Sequence, residues 1–201
     1  MYKIYDFPQR SQLWFKLREG RLTFSNLGTA LGNPKFETVE ALGYRLRNNV
    51  EQTFSILAKD RMRRGTEMEN EIRERYQKKY PDRKVTEVGF VVPVGTPWKG
   101  WKEEWNNHVG ASPDGLINSD GIIEIKCSDK MPKWITEDSD IYPNYYAQIQ
   151  GNMAFLHREW CDLLVHVYGD GTYEIRVDFD QEYWERCVPK IGEFIEKYLI
   201  S

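Results

Sequence analysis

The chain has 201 residues, 40% of them hydrophobic and 14% aromatic, which suits one globular domain with a buried core and excludes a disordered chain. No run of about 18 apolar residues marks a membrane span, and Met1 to Asp6 lacks the apolar stretch of a signal peptide. The net charge of −3 neither indicates nor excludes a nucleic-acid partner, and three widely spaced cysteines (Cys127, Cys161 and Cys187) suit reduced thiols in a cytosolic setting rather than a disulfide framework or a zinc site.

Taken in order, Pro8 to Arg18 reads as a helix with Leu13, Trp14 and Leu17 on one face, ended by Gly20. A second short helix is expected from Asn26 to Leu31, closed by Gly32. Thr23 and Ser25 precede it, where hydroxyls cap helices; with Arg18 nearby, the same hydroxyls and amides also suit a phosphate. Spacing alone favours the cap. Glu37 to Asn48 reads as a helix beginning near Thr38, and Thr66 to Lys79 as another that stops before Pro81. Thr66-x-x-Glu69 fits a capping box; the rival reading turns Glu69 toward a metal site. The basic run Arg61-Met62-Arg63-Arg64-Gly65 just ahead could meet a DNA backbone, although short basic runs are usually solvated. Lys84 to Val92 is expected to be a strand. Trp98, Trp101 and Trp105 are read as core or sheet cover rather than as platforms for unpaired bases, and His108 is given no role.

The stretch Gly110 to Cys127 reads as a hairpin. Its arms are Gly110 to Ile117 and Ile122 to Cys127, around the turn Asn118-Ser119-Asp120-Gly121. Side chains alternate along a strand, so Ile123, Ile125 and Cys127 point one way and Glu124 and Lys126 the other. With an odd number of loop residues, Asp114 and Glu124 pair directly across the strands, their Cβ atoms about 5 Å apart. Two such carboxylates repel unless a positive charge lies between them, and hard oxygen ligands favour Mg²⁺ or Mn²⁺. A surface hairpin with solvated charges is the alternative. The conjunction weighs against it: Pro113-Asp114, a gap holding a tight turn, then Glu124-Ile125-Lys126 is the PD-(D/E)xK nuclease pattern. Phosphodiester hydrolysis needs metal to neutralise the phosphate and acidify water. The lysine positions or deprotonates that water, or stabilises developing charge.

Beyond the hairpin, Lys130 to Trp134 is expected to form a short helical turn. Tyr142 to His157 reads as an amphipathic helix with Pro143 in its first turn. Tyr145 and Gln148 share a face of it, so Gln148 either decorates the helix or sits over the metal site. Cys161 to Tyr168 and Thr172 to Phe179 form a second hairpin around Gly169-Asp170-Gly171. Asp180 caps a final helix, Gln181 to Leu199, which Pro189 is expected to break or kink. Its Ile191, Phe194, Ile195 and Tyr198 make a core face. The element order gives a single α/β (α+β) domain over residues 1–201, a central mixed sheet flanked by helices.

Five stretches together resemble the phage lambda exonuclease family, the YqaJ-like viral recombinase nucleases. They are Trp14-x-x-Leu17-Arg18-x-Gly20 with Thr23-x-Ser25; Gly65-x-x-x-Glu69-Asn70; Ser112-Pro113-Asp114-Gly115-Leu116; Glu124-Ile125-Lys126-Cys127; and Tyr145-x-x-Gln148-x-Gln150. The resemblance implies a restriction-endonuclease-like core. It implies Mg²⁺, with Mn²⁺ substituting and two ions per site, held by Asp114, Glu124 and the main-chain carbonyl of Ile125, with Glu69 close by. It implies Lys126 as the catalytic lysine. Arg18, Ser25, Ser112 and Gln148, with Tyr145 beside them, would hold the 5′-phosphate of the strand being cut. The activity implied is a 5′→3′ exonuclease that degrades linear double-stranded DNA to mononucleotides and leaves 3′ single strand for an annealing recombinase. A ring-shaped homotrimer is associated with such members, and the cytoplasm, that of a bacterial host if phage-encoded, is the expected compartment. Two rivals stand beside this reading, a PD-(D/E)xK endonuclease and a non-catalytic DNA-end-binding module.

Overall fold

This computed structural model describes residues 1–34, 36–137 and 139–200. The N-terminal part holds β1 (Tyr2–Tyr5), α1 (Gln12–Arg18), β2 (Leu22–Thr23), a 3-10 turn (Phe24–Asn26) and α2 (Leu27–Ala30). Then come α3 (Val39–Arg47), α4 (Ile56–Lys79), β3 (Val85–Thr86), β4 (Phe90–Pro93), a 3-10 helix (Glu103–His108) and β5 (Val109–Gly110). β6 (Gly115–Ile117), β7 (Gly121–Ser128), α5 (Lys133–Thr136), α6 (Pro143–Leu156), β8 (Trp160–Val167), β9 (Gly171–Asp178) and α7 (Gln181–Ile195) complete the chain with a short π-helical end, Glu196–Ile200.

The five strands β3-β6-β7-β8-β9 form one mixed sheet, in which β7 and β8 run parallel and the other neighbours antiparallel. β7 is central, so both its faces are covered, and alternation sorts its side chains between two layers. Ile123 and Ile125 join Leu164 beneath Ile72 and Tyr76 of α4. Ile122 joins Leu163 and Val165 in the larger core under α6 and α7. Trp101 and Trp105 are buried in that larger core, and Trp98 stacks on Phe155 at 5.0 Å, the core role expected of these tryptophans. The arrangement is the α/β sheet with flanking helices read from the sequence. All three cysteines are unbridged, and among the described residues no helix is long and apolar enough to cross a membrane.

Several elements differ from expectation. α1 begins at Gln12, capped by Ser11, because Pro8, Gln9 and Arg10 form a turn in which Arg10 is left-handed at φ +67. α2 is a single turn that starts at Leu27, Asn26 belonging to the 3-10 turn. α4 starts ten residues before Thr66, so the capping box does not exist: Ser55 is the cap, and the Thr66 hydroxyl donates to the Met62 carbonyl inside the helix. The basic run lies on this helix in ion pairs, Arg63 with Asp60 and Glu67, Arg61 and Arg64 with Asp129. The expected strand Lys84 to Val92 is two strands in different sheets, β3 beside β6 and β4 beside β1. The first hairpin arm is likewise split. β5 pairs with β2, Ala111 bridges Val91, and only β6 pairs with β7. The short helix after the hairpin is α5, three residues beyond Lys130. α7 continues through Pro189, which sits on its exposed face, where the carbonyl left without an N–H partner can bond water.

Candidate active site

Continuing the register Gly115↔Ile123 by one residue places Asp114 opposite Glu124, as the odd-numbered loop requires. Asp114 stands just outside β6, and its Oδ2 accepts the Ile125 N–H at 2.7 Å. Glu124 is buried and surrounded by donors: Lys126 Nζ at 2.6 Å, Gln148 Nε2 at 2.5 Å and Asn152 Nδ2 at 3.1 Å. Lys126 also donates to Gln148 Oε1 at 3.1 Å and lies over the Tyr145 ring at 5.2 Å. Burial, then the charge of Asp114, raises the Glu124 pKa to about 8, although Lys126 opposes both. Burial lowers the Lys126 pKa, but the charges of Glu124 and Asp114 outweigh it, so the lysine pKa is raised and the ammonium form held.

α4 crosses this hairpin and adds two groups. Arg73 donates to the main-chain carbonyl of Asp114 at 2.9 Å and to Asn70 Oδ1 at 2.7 Å, which ties the helix to the Asp114 loop. Glu69 receives Arg10 Nη2 on both carboxylate oxygens, each at 2.7 Å. Burial and Asp114 raise the Glu69 pKa, and Arg10 counters them. Glu69, Asp114 and Glu124 therefore repel one another. Among the described residues, no three His, Cys, Asp or Glu side chains close on one point as placed, because Glu69 is turned onto Arg10 and Asp114 onto the Ile125 amide. By kind the donors fit a hard divalent cation. They are oxygens, they carry like charges, and burial beside Asp114 raises the pKa of the innermost one, a shift that a bound cation would oppose.

The opposite wall comes from α1 and the segment after it. Arg18 stacks on Trp14 at 4.1 Å, and its Nη2 lies 3.3 Å from both Thr23 Oγ1 and Ser25 Oγ, hydroxyls 3.0 Å apart. Neither hydroxyl caps a helix: the 3-10 turn and α2 have no side-chain cap. Burial, then the nearby charge of Arg10, lowers the Arg18 pKa to about 10. The one hydroxyl proton of Ser112 goes to the Gly89 carbonyl and its oxygen accepts Trp14 Nε1–H, both at 3.0 Å. Ser112 thus fixes Trp14, and through it Arg18, and itself lines the same cleft.

Arg18, Ser25, Glu69, Ser112, Asp114, Glu124, Ile125, Lys126 and Gln148 line one cleft of about 170 Å³. Tyr145 stands beside it, beneath Lys126. A larger hollow of about 620 Å³, bounded by Trp98, His157, Arg158 and Trp184, contains none of these groups. Sequence reading missed three polar residues of the cleft, Gln9, Arg10 and Asn152. Asn152 was legible, since it lies one turn beyond Gln148 on the same helix face. Gln9, whose Nε2 holds the Val88 and Pro113 carbonyls at 2.9 Å each, and Arg10 belong to no periodic pattern.

A family model for the YqaJ-like viral recombinase domain matches residues 13–158. The fold is similar to an alkaline exonuclease from Laribacter hongkongensis, LHK-Exo, at a TM-score of 0.72 and 26% identity, covering 94% of this chain and 92% of that one. The structure of LHK-Exo in complex with dAMP matches equally, at 27% identity, a TM-score of 0.72 and the same coverage. A phage-related exonuclease from Haemophilus somnus 129PT shares the fold at a TM-score of 0.58 and 13% identity, over 92% of this chain and 94% of that one. No curated protein matches the chain. With that family model covering most of its length and these structures sharing its architecture, the chain belongs to the YqaJ-like viral recombinase domain family and has a nuclease fold.

Proposed function

We propose that the protein is a divalent-metal-dependent 5′→3′ exonuclease acting on the ends of linear double-stranded DNA, releasing mononucleotides and leaving 3′ single strand for an annealing recombinase. The observation that carries this reading is the shared cleft. Asp114, Glu124 and Lys126 lie on one wall, with Glu69 beside them, and Arg18 with Thr23 and Ser25 forms the other. The similarity to an alkaline exonuclease at 26% identity supports the same class of chemistry. Asp114, Glu124, the Ile125 carbonyl and Glu69 would hold Mg²⁺ or Mn²⁺, one ion or two, and bound metal would neutralise the scissile phosphate and acidify the attacking water.

The chain's own groups divide the remaining work. Gln148 bonds both Glu124 and Lys126 and so sets their separation. Lys126, on the same strand face as Glu124, is placed to act on the attacking water or on the charge that develops at the phosphate. Arg18, poised between two hydroxyls and stacked on Trp14, receives the terminal 5′-phosphate, with Ser25 as the exposed donor. Ser112 positions Trp14 and Arg18 from the same cleft wall and stands within the proposed phosphate pocket. Assembly of several chains, a ring trimer in the family pattern, belongs to the same proposal.

The test is digestion of linear duplex DNA with Mg²⁺, comparing 5′-phosphate ends, 5′-hydroxyl ends and a closed circle of the same sequence. Mononucleotide release from the phosphorylated linear form, with the circle intact, is expected. Arg18→Ala should erase the preference for phosphate over hydroxyl ends. Cutting of the circle would move the protein to the endonucleases. A gel shift of the linear form without any cleavage would leave a DNA-end-binding module.

A further inference from the structure

Arg10 stands among the charges of the cleft without belonging to any motif of the sequence. Its backbone is left-handed, which a residue with a Cβ adopts only where its surroundings hold it. Gln9 holds it from one side through the Val88 and Pro113 carbonyls, and Ser11 from the other as the cap of α1. The turn aims the side chain at α4, so that one nitrogen, Nη2, bridges both oxygens of Glu69. Arg10 is also near enough to Arg18 for its charge to be felt there. The guanidinium therefore stands between the two halves of the cleft, carboxylates on one side and Arg18 with its hydroxyls on the other. The Arg10 side chain is 43% exposed and that of Glu69 only 17%, so the arginine is the partner with room to move.

We propose that Arg10 is an exchangeable counter-ion. It keeps Glu69 charged and aimed before substrate arrives, then passes to a phosphate of the DNA once a divalent cation takes its place at the carboxylate. The proposal rests on the nuclease reading above. A single nitrogen bridging two oxygens leaves the guanidinium fork incompletely used, and a phosphate offers that fork a better match. A divalent cation brings twice the charge to Glu69 and competes for the same lone pairs. The exchange keeps both the carboxylate and the incoming phosphate neutralised throughout.

Arg10→Gly is the variant of choice, since glycine adopts the left-handed turn without strain. Arg10→Asn, another residue tolerated there, is the second. Ca²⁺ is titrated calorimetrically into the free full-length protein at about pH 9, above the value of about 8 to which the Glu124 pKa is raised. Binding of a 5′-phosphorylated duplex is then measured in Ca²⁺. Both variants should bind Ca²⁺ about three- to tenfold more tightly, their internal competitor gone, and bind the duplex about tenfold more weakly. In a Glu69→Gln background, removing Arg10 should no longer change Ca²⁺ affinity, an outcome that a merely structural role of the arginine does not predict. Unchanged or weaker Ca²⁺ affinity in folded Arg10 variants, or an unchanged duplex affinity, overturns the exchange. A wild type that binds no Ca²⁺ and cuts no DNA overturns the nuclease reading and the exchange together. A wild type that cuts DNA and variants that bind as it does overturn the exchange alone.

Discussion

Glu124 and Lys126 stand two residues apart on one strand face, and each sets the charge of the other. Glu124 raises the Lys126 pKa against the effect of burial, and Lys126 lowers that of Glu124 against burial and Asp114. Lys126→Ala should lower DNA cleavage about 10²- to 10³-fold while duplex binding in Ca²⁺ survives. Normal turnover in that variant removes the lysine from the mechanism. Glu124 also makes the cation-free protein sensitive to pH. Its folded pKa of about 8 lies above its usual 4.5, so between those values the unfolded chain releases the proton first. The stabilising contribution is complete below about 4.5 and is lost as pH rises through about 8. Thermal melts in EDTA should show wild type losing stability relative to Glu124→Gln over that window, and Mg²⁺ should restore it. Parallel melts of the two proteins would refute the assignment. These carboxylates and the lysine were legible because a tight turn and strand alternation dictate their register. Arg10 and Gln9 were not, since Gln9 meets its partner Pro113 across 104 residues of chain, and no local pattern encodes that contact.

Helices and strands were legible where local rules act alone. α6, with Pro143 at its start and left-handed His157 as its cap, and the β8–β9 hairpin lie within a residue or two of their sequence readings. α4 was misread because Gly65 and Thr66 look like a boundary, whereas Asp60, Arg63, Arg64 and Glu67 form pairs three and four residues apart that support a continuous helix. That longer helix carries Glu69 and Arg73 across the hairpin as one rigid rod. The strand Lys84 to Val92 was misread for a different reason. Gly89 stands where a Cβ would fall 2.1 Å from the Tyr5 carbonyl oxygen and 2.7 Å from that of Phe7, so the chain leaves one sheet and enters another at a main-chain contact no larger residue allows. Gly89 also accepts the Ser112 hydroxyl that fixes Trp14. Gly89→Ala should cost about 2–3 kcal/mol in urea denaturation, since backbone cannot yield as a flexible side chain does. It should also weaken the preference for 5′-phosphate ends by disturbing Arg18. A variant as stable as wild type would mean that the β1–β4 contact is looser than its geometry.

Across the whole molecule the cleft lies where two layers meet, with α4 on one face of the sheet, α6 on the other and α1 closing the end. Residues 36–62 contribute no side chain to this cleft and hold half of the large apolar side chains exposed among the described residues. Between residues 36 and 62, Phe36, Tyr44, Val50, Ile56, Leu57 and Met62 are all exposed, Ile56 to 87% and Leu57 to 71%. Single exposed apolar residues are ordinary; six in one stretch of sequence, two of them adjacent at the start of α4, are side chains that the assembly proposed above would cover. A second copy of the chain is the simplest occupant, in line with the ring assembly proposed above. The protein should therefore sediment as more than a monomer at micromolar concentration. The Ile56→Glu, Leu57→Glu double variant should sediment as a folded monomer, because both side chains lie outside the two cores and their loss opens no cavity. The variant should still remove the first nucleotides from a 5′-phosphorylated end, since no cleft residue is altered, but long duplexes should be digested by repeated binding rather than in one continuous run. Sedimentation of the wild type as a monomer would reject the assembly, and an associated double variant would move the interface to another face of the molecule.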